Sequence, residues 1–403
     1  MRHYHPMLPT YGAWAVLLLG VFLPASSGEA GGKYRVVHAF DDRNGSDGAV
    51  PYAGLIADKS GDLYGTTTKG GANGQGTIFE IAADGSEAIL YSFNDNSAND
   101  GADPYGVLVR DKAGNLYGTT NLGGAAGTGT VFRLASGGKE TVLHSFVDEG
   151  GSDGARPYAG LIRGSDGALY GTTTVGGARG QGTVFRITAK GAETVIYSFN
   201  DSAANDGADP YGSLLMDGAG NLYGTTSVGG AHGQGTVFRL APDGTETVLY
   251  SFNDSAANDG VDPYGGLIMD KTGTLYGTTT VGGTHGQGTV FKLAPDGTET
   301  VLYAFNDSNA NDGADPYAAL LMDAAGNLYG TTSVGGADGG GTIFRLAPDG
   351  TETVLHSLDG ATDGAQPYSS LVEMKVVGGK TYLLGTASCC GAGDGSVVFA
   401  IKK

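Results

Sequence analysis

LYGTT, residues 63–67, returns at 116–120, 169–173, 222–226, 275–279 and 328–332, always 53 positions further on, and a worn copy, LLGTA, follows at 383–387. A constant step of that length marks tandem structural units, each unable to bury its own apolar face alone. Around each LYGTT stand three more short apolar or β-branched runs, bounded by Gly, Asp, Asn and Pro. In the fourth copy the four are PYGSLLMD (210–217), NLYGTTS (221–227), GTVFRLA (235–241) and ETVLYSF (246–252). Such runs read as strands, and Asp-Gly and Gly-Asn pairs between them read as tight turns.

Seven copies of four antiparallel strands predict an all-β, seven-bladed β-propeller, in which ring closure removes exposed sheet edges. A β-solenoid is the alternative, and 53 residues with two tight hairpins exceed what one coil needs. The blades are expected at about 51–93, 104–146, 157–199, 210–252, 263–305, 316–358 and 367–401. Residues 33–40, KYRVVHAF, also match ETVLYSF, and the last copy stops at SVVFAI without such a run. The N-terminal strand is therefore expected to close the last blade against residues 397–401, within one propeller domain over 33–403.

The recurring frame, F, a connection holding DGA-x-PY, then L-x-x-D-x-x-GNLYGTT-x-x-GG-x-x-G-x-GTVF, resembles the GloVer tandem-repeat family of exported bacterial proteins over the whole mature chain. The resemblance implies export and no established biochemical activity. Members of that family often carry C-terminal sorting signals, whereas this chain ends FAIKK. The run P-x-G-L-x-x-D-x-x-G-N-L-Y is also similar to NHL and lactonase-type propellers, a likeness of fold.

Arg2 precedes an apolar run from Ala13 to Leu23, and Ala25 and Ser27 are spaced for cleavage, so residues 1–27 read as a signal peptide. The run is too short for a spanning helix. A periplasmic or extracellular protein is expected, without membrane insertion after cleavage. The formal net charge of −19 argues against nucleic acid and anionic lipid as partners and keeps an exported monomer soluble. Cys389 and Cys390 are adjacent, so no disulfide framework staples the fold; they form either a vicinal disulfide or an unbridged pair.

Connections alternate between the faces of the disc. One face carries tight hairpins; the other carries the acidic connection NDSAANDGADPYG (200–212) and the Gly-rich loop SVGGAHGQG (227–235). Function, if localised, belongs to the second. Four acidic connections are complete, with Asp95, Asp100 and Asp103; Asp201, Asp206 and Asp209; Asp254, Asp259 and Asp262; and Asp307, Asp312 and Asp315. Three carboxylates with Asn and carbonyl oxygens are candidate calcium ligands, so Ca2+ is the one cofactor considered. The same Asp-Gly pair before Pro-Tyr also reads as turn chemistry, and Asp47, Asp153 and Asp363 keep it where the third Asp is Val50, Arg156 or Gln366.

One position of the Gly-rich loop carries Asn73, Ala126, Arg179, His232, His285, Asp338 and Gly393 in turn. Arg179, His232, His285 and Asp338 are the candidate ligand-binding quadrant, since a repeated scaffold acquires a one-sided site by breaking its symmetry. Seven tyrosines, Tyr52, Tyr105, Tyr158, Tyr211, Tyr264, Tyr317 and Tyr368, follow the connections. They could ring the channel mouth, although their presence in every copy also suits packing between blades. The only Trp, Trp14, lies in the signal segment, and no nucleophile elbow, P-loop or H-E-x-x-H occurs. No catalytic residue is assigned. A non-enzymatic binding or scaffold module for an extracellular or envelope protein or glycan is expected, with a lactonase- or lyase-type enzyme and a calcium-stabilised structural protein as alternatives.

Overall fold

The second strand of each repeat is built around its glycine. In the first blade, a Cβ on Gly65 would stand 2.5 Å from Cζ of Phe79, so the bare backbone is what lets the phenyl ring of the neighbouring strand lie across it. The computed structural model describes residues 33–41, 47–95, 100–147, 151, 153–201, 206–253, 258–307, 312–376, 379–391 and 395–403. The proposed signal peptide, Trp14, Asp254 and Gly393 lie outside the described residues.

Seven four-stranded antiparallel sheets form the ring. In the first blade they run from the inner strand Ile56–Ala57 through Leu63–Thr67 and Thr77–Ile81 to the outer strand Glu87–Ser92. The seventh sheet takes its outer strand from the chain start: Tyr34–Ala39 pairs antiparallel with Val397–Lys402, Tyr34 opposite Ile401 and Ala39 opposite Val397. The expected closure is thus observed, with a bulge between Val36 and His38.

The core lies between blades. Phe93 follows one outer strand and meets Phe132 of the next blade edge to face at 5.2 Å, within a cluster that joins Tyr64 and Ile78 to Leu108, Leu116 and Leu134. Equivalent Phe pairs recur around the ring, for example Phe199 with Phe238 and Phe305 with Phe344. Each blade is therefore stabilised by its neighbours, as the repeat pattern requires.

Two features depart from the sequence expectation. The run 210–217 is a strand only at Leu215–Met216, because Pro210 has no N–H and its carbonyl accepts a hydrogen bond from Thr172 Oγ1 of the preceding blade at 3.3 Å. Equivalent bonds run from Thr119 Oγ1 to the carbonyl of Ala159 and, across the closure, from Thr386 Oγ1 to the carbonyls of Pro51 and Ala53. The first Thr of LYGTT thereby pins the next blade's inner segment. The second departure is a two-residue ribbon in which Gly207–Ala208 of the acidic connection pairs with Val228–Gly229 of the Gly-rich loop, joining the two loops of one face.

Candidate functional site at the mouth of the ring

The residue before each Pro-Tyr pair is left-handed. Val50, Asp103, Arg156, Asp209, Asp262, Asp315 and Gln366 all have φ between 54° and 57°. That region is uncommon for residues other than Gly, Asn and Asp and unfavourable for a β-branched one. Each is held there from two sides: the Asp103 N–H donates to the carbonyl of Gln75 at 3.0 Å, and its own carbonyl accepts from Asn121 N–H at 3.0 Å. This reversal carries the chain from the outer rim to the channel and delivers the tyrosine that follows.

The seven tyrosines form one closed ring. Tyr52, Tyr105, Tyr158, Tyr211, Tyr264, Tyr317 and Tyr368 follow one another with centroid separations from 4.8 to 5.3 Å, and Tyr368 returns to Tyr52 at 5.2 Å. The two expected roles coincide, because each ring packs on the neighbouring blade by lining the mouth. Burial, and then the neighbouring phenols, push the hydroxyls of Tyr105 and Tyr211 up to about 12, so they stay hydrogen-bond donors. Sides near 5 Å put the centroids of a seven-membered ring roughly 6 Å from its axis, the outer reach of cation–π attraction.

The left-handed residues surround this ring. Asp209, Asp262 and Asp315 stand on three consecutive blades, and burial raises the pKa of each, with Asp201 adding to the effect at Asp209. Asp103 is engaged by Lys69 Nζ at 2.8 and 3.0 Å, and Arg156 lies between. One side of the mouth is anionic and the other balanced. In the second to sixth blades the position of Lys69 is aliphatic, and Leu122, Val228, Val281 and Val334 are the exposed large hydrophobics among the described residues. In the last blade it is Cys389, joined to Cys390 as a vicinal disulfide. Below the ring, the inner segments carry Gly54, Val107, Gly160, Ser213, Gly266, Ala319 and Ser370, small and uncharged. They interlock closely: Gly160 N–H donates to Ser213 Oγ at 3.1 Å.

In the acidic connections the second aspartate is an acceptor for the local chain. Asp100 Oδ1 accepts from Gly101 N–H at 2.7 Å, and its Oδ2 accepts from Asn94 N–H and the Tyr91 hydroxyl, both at 2.8 Å. Asp206, Asp259 and Asp312 repeat this arrangement. Asp201 and Asp307 are not among these acceptors, and their N–H groups donate to Gln181 and Gln287. Among the described residues, no acidic connection gathers its three carboxylates within 4.8 Å of one another.

The candidate rim quadrant is exposed at the loop tips. Arg179, His232, His285 and Asp338 all face solvent, and His285 Nε2 lies 3.3 Å from the Asn306 amide. The structure does not bring His232, His285 and Asp338 into one metal-sized group.

Sequence reasoning missed an outer seam. The glutamate that starts each outer strand lies beside the aspartate of the preceding connection, and Glu140, Glu193, Glu246, Glu299 and Glu352 are pushed up to about 7 by burial and then by Asp100, Asp153, Asp206, Asp259 and Asp312. A signal did exist: the residue before Ser-Phe or its equivalent is Tyr91, Tyr197, Tyr250 and Tyr303 where the third Asp is present, and His38, His144 and His356 where it is absent. The mouth also had one, since the residue before Pro-Tyr varies while Pro-Tyr does not.

As a sequence family, the Gloeobacter/Verrucomicrobia repeat matches residues 26–205 and 202–399. No curated protein matches the chain. Among solved structures, the chain is similar to a 6-phosphogluconolactonase candidate from Bacteroides uniformis, 18% identical over 83% of this chain and 89% of that one, TM-score 0.50. It is also similar to a fungal alcohol oxidase of the AA5 family in complex with copper, 15% identical over 88% of this chain and 74% of that one, TM-score 0.51. At these identities the likeness is one of fold.

Proposed function

The chain belongs to the Gloeobacter/Verrucomicrobia repeat family, and from the mouth that its seven copies build we propose an exported, non-enzymatic binding module that captures a cationic group on an extracellular or envelope partner. The observation that carries this reading is the closed tyrosine ring flanked on three successive blades by Asp209, Asp262 and Asp315. Aromatic rings attract a cation by their quadrupole, at about 0.5–2 kcal/mol each according to desolvation, and half-buried carboxylates supply the opposite charge. Leu122, Val228, Val281 and Val334 offer apolar contact for the stem of an amine-bearing side chain or sugar. The loop tips with Arg179, His232, His285 and Asp338 serve as outer contacts for a larger protein or glycan.

The test uses a short oligolysine peptide and its fully acetylated form, followed by calorimetry and by tyrosine fluorescence. The cationic peptide is expected to bind, the acetylated one not. The combined variant Asp209→Asn, Asp262→Asn, Asp315→Asn should weaken binding at least about tenfold, with the loss deepening as salt falls. Equal binding of both peptides, or an unaffected variant, overturns the reading. Export is tested by cell fractionation and by sequencing the mature N-terminus, expected just after Ser27.

A further inference from the structure

Three seams of the ring place a histidine where four place a tyrosine, and in one of them the imidazole Nε2 has no hydrogen-bond partner among the described residues. His38 Nε2 is buried and unpartnered, 3.9 Å from Asp47 Oδ2. That is beyond hydrogen-bond reach. Facing both is Glu87, whose Oε1 is also buried without a partner. One ligand atom from each of the three lies within 4.8 Å of the others. Asp47 is held in place by Gly48 N–H at 2.7 Å and Asp41 N–H at 2.9 Å, one to each carboxylate oxygen, so its carboxylate is fixed.

We propose that His38, Asp47 and Glu87 bind a divalent transition-metal ion of the zinc type, with water completing the coordination. One imidazole nitrogen with two carboxylates suits Zn2+ better than Ca2+, which takes oxygen ligands and more of them. An ion about 2.1 Å from two ligand atoms at a tetrahedral angle holds them roughly 3.4 Å apart, close to the separation seen between His38 and Asp47. The other seams provide internal contrasts. Where tyrosine replaces histidine, its hydroxyl donates straight to the aspartate, as Tyr91 does to Asp100 at 2.8 Å. In the seam of His144, Asp153 and Glu193, the three form the same kind of group within 4.8 Å, but there the imidazole already stands 3.0 Å from Asp153. In that of His356 and Asp363, the place of the glutamate is taken by Tyr34.

The site has a structural role to match. His38 belongs to the strand that closes the ring, Glu87 to the outer strand of the first blade, and Asp47 to the connection between them. An ion held by all three ties the closing strand to the next blade.

The full mature chain, stripped with chelator, is titrated with Zn2+ and Co2+ and followed by calorimetry, elemental analysis and thermal melting. At least one tight equivalent of Zn2+ is expected, together with a higher melting temperature and, for Co2+, the visible absorption of a low-symmetry site. His38→Tyr installs the residue that four other seams carry and so should fold; it is expected to lose one equivalent. Glu87→Gln should weaken binding at least about tenfold. No tight uptake by the wild type, uptake of Ca2+ in preference to Zn2+, or undiminished uptake by His38→Tyr overturns the proposal.

Discussion

Tyr34 lies flat on His356, ring centroids 3.9 Å apart and planes 13° from parallel. Its hydroxyl donates to the carbonyl of Asp363 at 2.6 Å. The closing strand is therefore held twice: by its ladder to Val397–Lys402 within the seventh blade and by this stack on the sixth. Tyr34→Ala removes a partly buried aromatic and its hydrogen bond and is expected to cost about 3 kcal/mol, read as a lowered urea midpoint. Removal of residues 33–40 should expose the edge of Val397–Lys402 and produce aggregation, visible by light scattering. A truncated chain that stays monomeric with an unchanged melting temperature would contradict the closure.

Asp206 accepts from Gly207 N–H, Asn200 N–H and the Tyr197 hydroxyl. Replacing it by Asn turns one acceptor into a donor facing donors. Asp206→Asn should cost about 1–3 kcal/mol, and equally with calcium and with chelator if the carboxylate serves the turn. Melts of wild type and variant under both conditions decide it: a loss confined to calcium-containing buffer would assign the loop to the ion instead.

Val50 sits at φ 57°, where a β-branched side chain is strained. Val50→Asn places a residue that tolerates the left-handed region and should stabilise by about 1 kcal/mol, measured by chemical denaturation. Asp262→Asn, at φ 55°, should change stability little at this backbone position while it reduces binding of a cationic peptide.

Glu140, Glu246, Glu299 and Glu352 are held up to about 7 in the fold, whereas a glutamate in the unfolded chain titrates at about 4.3. Between those values the folded form binds more protons, so stability should fall as pH rises from about 4.5 to about 7. On the acid side, burial of Asp217 and Asp323 is outweighed by hydrogen bonds from Asn221 and Asn327, which hold their carboxyls low, Asp323 to about 2. Their contribution is present at neutral pH and is lost as pH falls below about 4. The melting temperature should therefore peak between about pH 4 and pH 4.5. Glu246→Gln with Glu299→Gln should flatten the fall toward neutral pH; an unchanged slope would mean these carboxyls ionise normally.

Much of this architecture was legible in one dimension. The step from Leu63 to Leu116 and onward gave the blade count, the hairpins between Asp217 and Asn221 and between Ala241 and Glu246 gave antiparallel order, and the likeness of 33–40 to 246–252 gave the closure. These are local signals: turn chemistry, strand alternation and repetition are written in neighbouring residues. The sequence by itself also showed that the residue before Pro-Tyr varies, but not that all seven copies meet around one axis.

What only the tertiary structure decided is which residues of different copies come together. Glu140 begins an outer strand and Asp100 lies in a connection forty residues earlier, yet the packing of one blade on the next puts their carboxyls near each other. The same packing brings Glu87 to His38 and Asp47 and Tyr34 to His356. Likewise, the tyrosines touch only because seven blades leave their inner segments close enough to form a ring. Strand twist and blade packing set these distances, and they arise from the summed contacts of whole sheets rather than from any pattern along the chain.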